Sequence, residues 1–278
     1  MNVLTVDYSR ADAPALFCES LKETGFAVLD HHPISTKLIA DVYQQWQLFF
    51  ASEEKQDYLY QKPSQAGYFP FKTENAKNSK VSDLKEFYHY YPWGPKPEMT
   101  AELSEQLYAD LFKLAAELLQ WIEGELPREI ARQLSVPLSN MIESAPNTLL
   151  RILHYPPLIN EIEEGAVRAA AHEDINLLTI LPAATMPGLE VQDTEGRWHA
   201  VPCYSGHIAV NVGDMLQECT QHYLKSTTHR VVNPLGDEAK ASRFSMPLFL
   251  HPRAEVRLSS TYTAGEYLAH RLKEIGIY

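Results

Sequence analysis

Apolar residues recur at helical spacing over two long stretches in the first half of the chain. From Ser35, they follow one another three or four residues apart, which places them on one helical face: Leu38, Ile39, Val42, Tyr43, Trp46, Phe49 and Phe50. From Thr100, a second stripe repeats this spacing: Leu103, Leu107, Leu111, Leu114, Leu118 and Trp121. Because an apolar stripe must be buried against something, we interpret both stripes as core packing.

The second half has a different pattern, in which short strand-like runs alternate with turn signals. These runs are Thr148–Tyr155, Leu177–Leu181, Leu189–Gln192, Trp198–Val201, Ile208–Val212 and Arg243–Leu250. Many short strands at such spacing are typical of a sandwich or barrel. Since no shift in composition marks a linker, we predict one domain over residues 1–278. A mainly helical N-terminal part, 1–140, would pack on a β core formed by residues 141–278.

Residues 62–97 fit neither pattern, because proline and glycine punctuate a stretch rich in tyrosine and phenylalanine. We interpret this stretch as a long irregular or hairpin-bearing excursion that the scaffold positions and that is not part of the sheet. Phe87 and Tyr90 within it are candidate substrate contacts. The competing interpretation is that these rings are buried against the helical layer and touch no ligand.

Charge and cysteine content narrow the choice of partners and compartment. The formal net charge of −12 makes nucleic acid a poor partner. The three cysteines contain no CxxC pair, which fits a reducing cytoplasm. The first residues do not resemble a signal peptide, and no apolar stretch is long enough to cross a bilayer. We therefore expect a cytoplasmic protein with no membrane or nucleic-acid partner.

A metal site is indicated by His172 and Asp174, which lie two residues apart. On an extended segment such residues point to the same side, so an imidazole and a carboxylate converge. The pair is a weak signal alone and needs a third ligand. His229 is the preferred candidate and His222 its only rival. Two imidazoles and one carboxylate that leave open positions opposite them are typical of non-haem iron(II) oxygenases.

Arg243 and Ser245 are likewise two residues apart, within an apolar run. A buried arginine needs an anionic partner, and a guanidinium pairs bidentately with a carboxylate. That partner could be an acidic residue of the fold or the carboxylate of a ligand. Tyr155 ends a predicted strand, where its phenol could donate to a ligand carboxylate or simply pack against the sheet.

These motifs, taken in order as H-x-D, a distant H and R-x-S, resemble the isopenicillin N synthase-like family of iron(II) and 2-oxoglutarate-dependent dioxygenases (the iron/ascorbate oxidoreductase family). The flanking text is also similar to that family, including Leu178–Leu181, Val210–Asp214 and Lys225–Val231. The resemblance implies a double-stranded β-helix, a distorted jelly roll, with flanking helices. It also implies iron(II) on His172, Asp174 and His229.

The resemblance further implies that 2-oxoglutarate is the co-substrate, with its far carboxylate on Arg243 and Ser245 and Tyr155 as a helper. Dioxygen would be the oxidant, and ascorbate would stimulate turnover. The implied reaction is hydroxylation or desaturation of a small molecule with release of succinate and CO2. Leu153 stands where plant members have asparagine, so we expect Leu153 and Phe249 to join Phe87 and Tyr90 in the substrate pocket.

Two alternatives remain open from the sequence. Some members of the family are iron-dependent oxidases that do not use 2-oxoglutarate, and retention of Arg243 and Ser245 does not exclude that activity. A non-catalytic binding protein could also use the same jelly roll, because a fold does not determine a function.

Overall fold

A computed structural model describes residues 1–74, 82–158 and 165–274. The α-helices among them are α1 (Ala13–Thr24), α2 (Thr36–Ala51), α3 (Glu98–Glu125), α4 (Arg128–Ala131), α5 (Leu138–Met141), α6 (Asp214–Cys219) and α7 (Ala264–Glu274). The strands are β1 (Thr5–Asp7), β2 (Phe26–Asp30), β3 (Gly67–Phe69), β4 (Glu86–Tyr90), β5 (Leu149–Tyr155), β6 (Ala169–His172), β7 (Leu178–Pro182), β8 (Leu189–Gln192), β9 (Trp198–Ala200), β10 (Ile208–Val212), β11 (His229–Val231), β12 (Arg243–Ser245) and β13 (Leu248–Leu250). Over these same ranges, no helix has the length and apolarity needed to span a membrane.

The strands form two sheets. The major sheet has nine strands in the order β1-β2-β10-β7-β13-β5-β4-β3, with β12 also paired to β5. The minor sheet has four, in the order β6-β11-β8-β9. Phe26 and Ala209 of the major sheet pack with Val191 of the minor sheet, so the inner faces of the two sheets meet. This architecture confirms the predicted jelly-roll core with flanking helices.

The long helices cover the outer face of the major sheet. Alternation along β10 illustrates the arrangement, because Ile208, Val210 and Val212 join the helix-facing core whereas Ala209 lies in the cluster between the sheets. All seven apolar residues of the predicted α2 stripe are buried. In α3, Leu103 and Trp121 are only partly buried but pack against the same core. Both stripes are therefore core packing, as predicted.

The prediction that residues 62–97 lie outside the sheet is wrong, because β3 and β4 are strands of the major sheet. The prolines and glycines flank these strands and do not interrupt them. Gly67 begins β3 at φ +114°, where an added Cβ would lie 2.5 Å from the carbonyl oxygen of Tyr58. Residues 75–81 of this excursion lie outside the described residues.

Two boundaries also differ from the sequence prediction. The run Arg243–Leu250 is not one strand, because Pro247, which has no N–H to donate, separates β12 from β13. The N-terminal part is mainly helical but supplies β1 to β4, so residue 140 does not divide helices from sheet. Residues from both parts share one hydrophobic core. A single domain over 1–278 stays a prediction.

Candidate metal and co-substrate site

Three side chains converge at the end of the minor sheet. His172 is the last residue of β6, and His229 is the first residue of β11, directly opposite it in the antiparallel pair. Asp174 follows β6 by two residues. The Nε2 atoms of His172 and His229 lie 3.9 Å and 3.8 Å from Oδ1 of Asp174. All three ligand atoms lie within 4.8 Å of one another, so they form one cluster.

Hydrogen bonds at the back of each group fix its orientation. The Nδ1 atoms of His172 and His229 lie 2.7 Å and 3.0 Å from the carbonyl oxygens of Ala170 and Thr227. Nδ1–H therefore donates to a carbonyl in each ring, which leaves the Nε2 lone pair directed at the cluster.

The two oxygens of the Asp174 carboxylate have different partners. Oδ2 accepts from the hydroxyl of Thr179 at 2.5 Å and from the side-chain amide of Asn211 at 2.8 Å. Oδ1 is the atom that faces the two imidazoles. The carboxylate is thus held in one rotation, with one oxygen available to a metal.

Burial and electrostatics favour the protonation states that bind a metal. Burial and the neighbouring His229 lower the pKa of His172, which keeps its imidazole neutral. Burial alone would raise the pKa of Asp174, but the two imidazoles and the bonds from Thr179 and Asn211 hold it below its usual value. Neutral imidazoles and an ionised carboxylate are the forms that act as ligands.

This donor set fits iron(II). Two nitrogen ligands and one oxygen ligand on one side of an ion form the facial arrangement that non-haem iron(II) uses, with positions left for other ligands. Bonds of about 2 Å require only a small inward rotation of the rings from the observed separations. Among the described residues, no other group of three such side chains lies this close. His222, the rival to His229, is not part of the cluster.

The second part of the site lies where β12 pairs with β5. Arg243 is opposite Tyr155, and Ser245 is opposite Leu153. All four are buried. The Arg243 guanidinium lies 5.1 Å from the centre of the Tyr155 ring, and its Nε donates to the carbonyls of Met186 and Pro187. Its Nη1 has no hydrogen-bond partner, so this buried cation can still bind an anion.

The four predicted pocket residues do not lie on one face. Phe87 is opposite Leu153 across β4 and β5, and both belong to a small cluster with Phe69 and Tyr155. Phe249 is opposite Thr179, which contacts Asp174, so its side chain shares the face that carries the three candidate metal ligands. The prediction for Tyr90 is wrong. Three residues beyond Phe87, it points to the opposite face and packs in the helix-facing core.

Sequence reasoning missed three buried polar residues: Arg168, Thr179 and Asn211. Thr179 and Asn211 lie in strands that were predicted, and period-two alternation placed them opposite the apolar residues of those strands. Nothing in the sequence shows that both reach Asp174. Thr179 reaches it through the bend that leads into β7, and Asn211 reaches it only because β10 pairs with β7. Arg168 lies among small and apolar residues and directly before three alanines. A single charge in such a stretch is the signal that could have indicated its burial.

The comparisons with known proteins agree with this geometry. Residues 146–252 match the 2OG-Fe(II) oxygenase superfamily, and residues 5–110 match the N-terminal region of the non-haem dioxygenase in morphine synthesis. A Shewanella oneidensis protein described as an oxygenase is 48% identical, with all of both chains covered and a TM-score of 0.91.

Two further relatives name the family. A 2OG-Fe(II) oxygenase family protein of Caulobacter crescentus is 30% identical over 98% of this chain and 99% of its own, with a TM-score of 0.79. A 2-oxoglutarate-dependent dioxygenase of Monascus ruber is 28% identical over 87% of this chain and 79% of its own. The chain therefore belongs to the 2OG-Fe(II) oxygenase superfamily and is an iron(II)- and 2-oxoglutarate-dependent dioxygenase.

Proposed function

We propose that His172, Asp174 and His229 hold the iron(II), and that Arg243 and Ser245, helped by Tyr155, bind the far carboxylate of 2-oxoglutarate. The observation that carries this proposal is the convergence of two imidazole Nε2 atoms and one carboxylate oxygen on a single point. When bound, iron(II) supplies the chemistry by which dioxygen converts 2-oxoglutarate to succinate and CO2 while the substrate is hydroxylated or desaturated.

The residues of the protein bind and orient the co-substrate and keep water away from it. Arg243 is 2% exposed, so an ion pair formed with it is screened little by solvent. Tyr155 and Ser245 are buried beside it and each can donate one hydrogen bond to the same carboxylate. Anchoring one end of the co-substrate in this way fixes the direction in which its other end meets the metal.

We also propose that the substrate is a small, partly apolar molecule. Phe87 and Leu153 support this, because they place apolar surface beside the strand pair that carries Arg243. The net charge of −12 argues against nucleic acid.

We propose a cytoplasmic protein with no membrane partner, which fits its three free cysteines. The named relatives do not favour the oxidase alternative.

Removal of the distal ligand tests the metal assignment. Titration of the metal-free protein with iron(II) under anaerobic conditions should give one tightly bound ion per chain. His229→Ala should weaken this binding by more than about 100-fold, because it removes a direct ligand and not merely a supporting group. This variant should also lose succinate release in the presence of 2-oxoglutarate.

His222→Ala is the matched control, since it removes an imidazole from the same segment outside the cluster. It should keep both iron binding and succinate release. The assignment fails if His222→Ala loses iron while His229→Ala retains it.

A further inference from the structure

Arg168 is a second buried arginine beside the same tyrosine. It is 0% exposed, and its guanidinium lies 5.9 Å from the centre of the Tyr155 ring, where that of Arg243 lies at 5.1 Å. Its Nη2 donates to the carbonyl of Ala241, but Nε and Nη1 have no hydrogen-bond partner. Such a group is costly to bury unless something binds it.

Neither arginine has a carboxylate partner among the described residues. In the described part of the chain, both guanidiniums donate to backbone carbonyls, Arg168 to that of Ala241 and Arg243 to those of Met186 and Pro187. Carbonyls accept hydrogen bonds but carry no net charge, so both guanidiniums keep their full positive charge. Burial and the nearby charge of Arg243 lower the pKa of Arg168 to about 10, which leaves it protonated at neutral pH. Two like charges are therefore held together. Among the described residues, the Glu238 carboxylate acts on Arg168 from a distance, but no carboxylate forms an ion pair with either guanidinium.

The position of Arg168 identifies which anion would fit. It precedes β6, and four residues of strand rise place it about 13 Å along the chain from His172. Its guanidinium lies with Arg243 and Tyr155, at the end of the site remote from the metal cluster. A 2-oxo acid that meets the metal through its 1-carboxylate and 2-oxo group would present its far carboxylate at that end.

We propose that Arg168 is a second positioning residue for the co-substrate, and that the far carboxylate of 2-oxoglutarate lies between the guanidiniums of Arg168 and Arg243. This inference rests on the proposed function, because it assumes the same carboxylate end. It differs from that function in assigning the carboxylate two cations and not one.

Binding of two ligands that differ only at the far end provides the test. 2-Oxopentanoate has the same chain as 2-oxoglutarate but ends in a methyl group. Affinity for each ligand is measured anaerobically, from the charge-transfer absorption of the iron(II)-loaded protein. In the wild type, the ratio of the two affinities reports the interactions of the far carboxylate. Arg168→Gln should reduce this ratio by about 10- to 100-fold, the effect of one lost hydrogen bond to a charged group.

Thermal unfolding of the ligand-free protein gives an independent readout. Because Arg168 and Arg243 repel each other without a carboxylate between them, Arg168→Gln should keep or raise the Tm of the free protein. It should also reduce the rise in Tm that 2-oxoglutarate produces. Arg230→Gln is the matched control, since Arg230 already pairs with Glu190 and should leave the affinity ratio unchanged.

Arg243→Gln separates failure of this inference from failure of the proposed function. If Arg243→Gln reduces the affinity ratio and Arg168→Gln does not, the carboxylate has one cation and the inference is wrong. If neither variant changes the ratio, the proposed clamp itself is wrong. If Arg168→Gln does not fold, Arg168→Met removes the charge but keeps an apolar side chain of similar length, and an affinity ratio equal to that of the wild type would overturn the inference.

Discussion

At the scale of single residues, the Asp174 carboxylate shows how neighbouring side chains orient a proposed metal ligand. One oxygen is occupied by Thr179 and Asn211, and the other faces the two imidazoles. Without these donors the carboxylate could rotate and present either oxygen in several directions. Supporting bonds of this kind typically change metal affinity by about 10- to 100-fold.

Replacing the Thr179 hydroxyl by a methyl group should therefore weaken iron binding. Thr179→Val keeps the side-chain shape but leaves Oδ2 of Asp174 with one donor, and we expect iron(II) affinity to fall by about 10-fold or more. Anaerobic iron titration measures it. Thr100→Val is the control, because Thr100 is also buried but its hydroxyl donates to the carbonyl of Pro97, the residue before α3. Unchanged iron affinity in Thr179→Val would mean that this bond does not orient the ligand.

The candidate ligands were predictable from the sequence because their chemistry is distinctive. An imidazole and a carboxylate two residues apart, followed by a second imidazole, can be recognised without coordinates. The roles of Thr179 and Asn211 could not be predicted in this way. A threonine in a strand is ordinary, and Asn211 meets Asp174 only because β10 pairs with β7 in the register that places Asn211 opposite Thr179.

At the scale of elements, β4 divides its residues between two environments. Phe87 faces the inner cluster, where Phe69 of β3 stacks on it at 4.5 Å and the Arg151 guanidinium of β5 lies 4.0 Å from its ring centre. Tyr90 faces the helices, where its ring lies 6.1 Å from that of Tyr108. Neighbours on both sides fix the Phe87 ring, so we expect this side of the proposed substrate pocket to be rigid.

This division predicts different phenotypes for two ring removals on one strand. Phe87→Leu and Tyr90→Leu should each cost about 1–3 kcal/mol of stability, because each leaves space in a packed cluster. A panel of small molecules is screened for compounds that stimulate succinate release by the wild type and by each variant. Only Phe87→Leu should change which compounds are active. Urea unfolding and the succinate assay measure the two effects. The assignment of faces would be contradicted if the set of active compounds changed for Tyr90→Leu and stayed the same for Phe87→Leu.

The strands and the two long helices were predictable because period-two and helical spacing are local properties of the sequence. The place of residues 62–97 was not. Proline and glycine at its turns masked two short strands, and their position beside β5 depends on pairing with residues that lie far along the chain. Short strands contribute little periodicity, so their presence is decided by tertiary contacts.

At the scale of the whole molecule, a charged network connects the two sheets. Glu74 pairs with Lys85 at 2.8 Å and with Arg151 at 2.6 Å. Asp83 pairs with Lys85 and also accepts a hydrogen bond from the backbone N–H of Ala170 in β6. The network therefore joins β5 of the major sheet, and the residues that lead into β4, to the first strand of the minor sheet. Removal of one partner from such a group leaves the others uncompensated.

The stability contributed by this network should decrease in acid. Burial alone would raise the pKa of Glu74, but Arg151 and Lys85 hold it well below its usual value of 4.5. A carboxyl whose pKa is lower in the folded state stabilises the fold above its unfolded pKa and loses that contribution as pH falls. The difference in urea midpoint between wild type and Glu74→Gln should therefore shrink steadily below a pH of about 4.5.

Glu195→Gln is the control for this acid prediction. Its carboxylate pairs with Arg197 at the surface, where an ion pair contributes little, so its urea midpoint should match that of wild type at every pH. A difference between wild type and Glu74→Gln that stayed constant from pH 6 to pH 3 would contradict the role given to Glu74.

The order of strands in the major sheet has a consequence for how this enzyme can change over evolutionary time. The proposed clamp lies on β5 and β12, and the supports of Asp174 lie on β7 and β10, within the sheet. The stacked rings of Phe87 and Phe69 lie on β4 and on β3, and β3 is the last strand of the order. Because β3 has a strand neighbour on one side only, mutations there disturb fewer strand pairings than mutations in β7 or β10. We therefore expect substrate choice to change more readily at that margin than the oxidation chemistry.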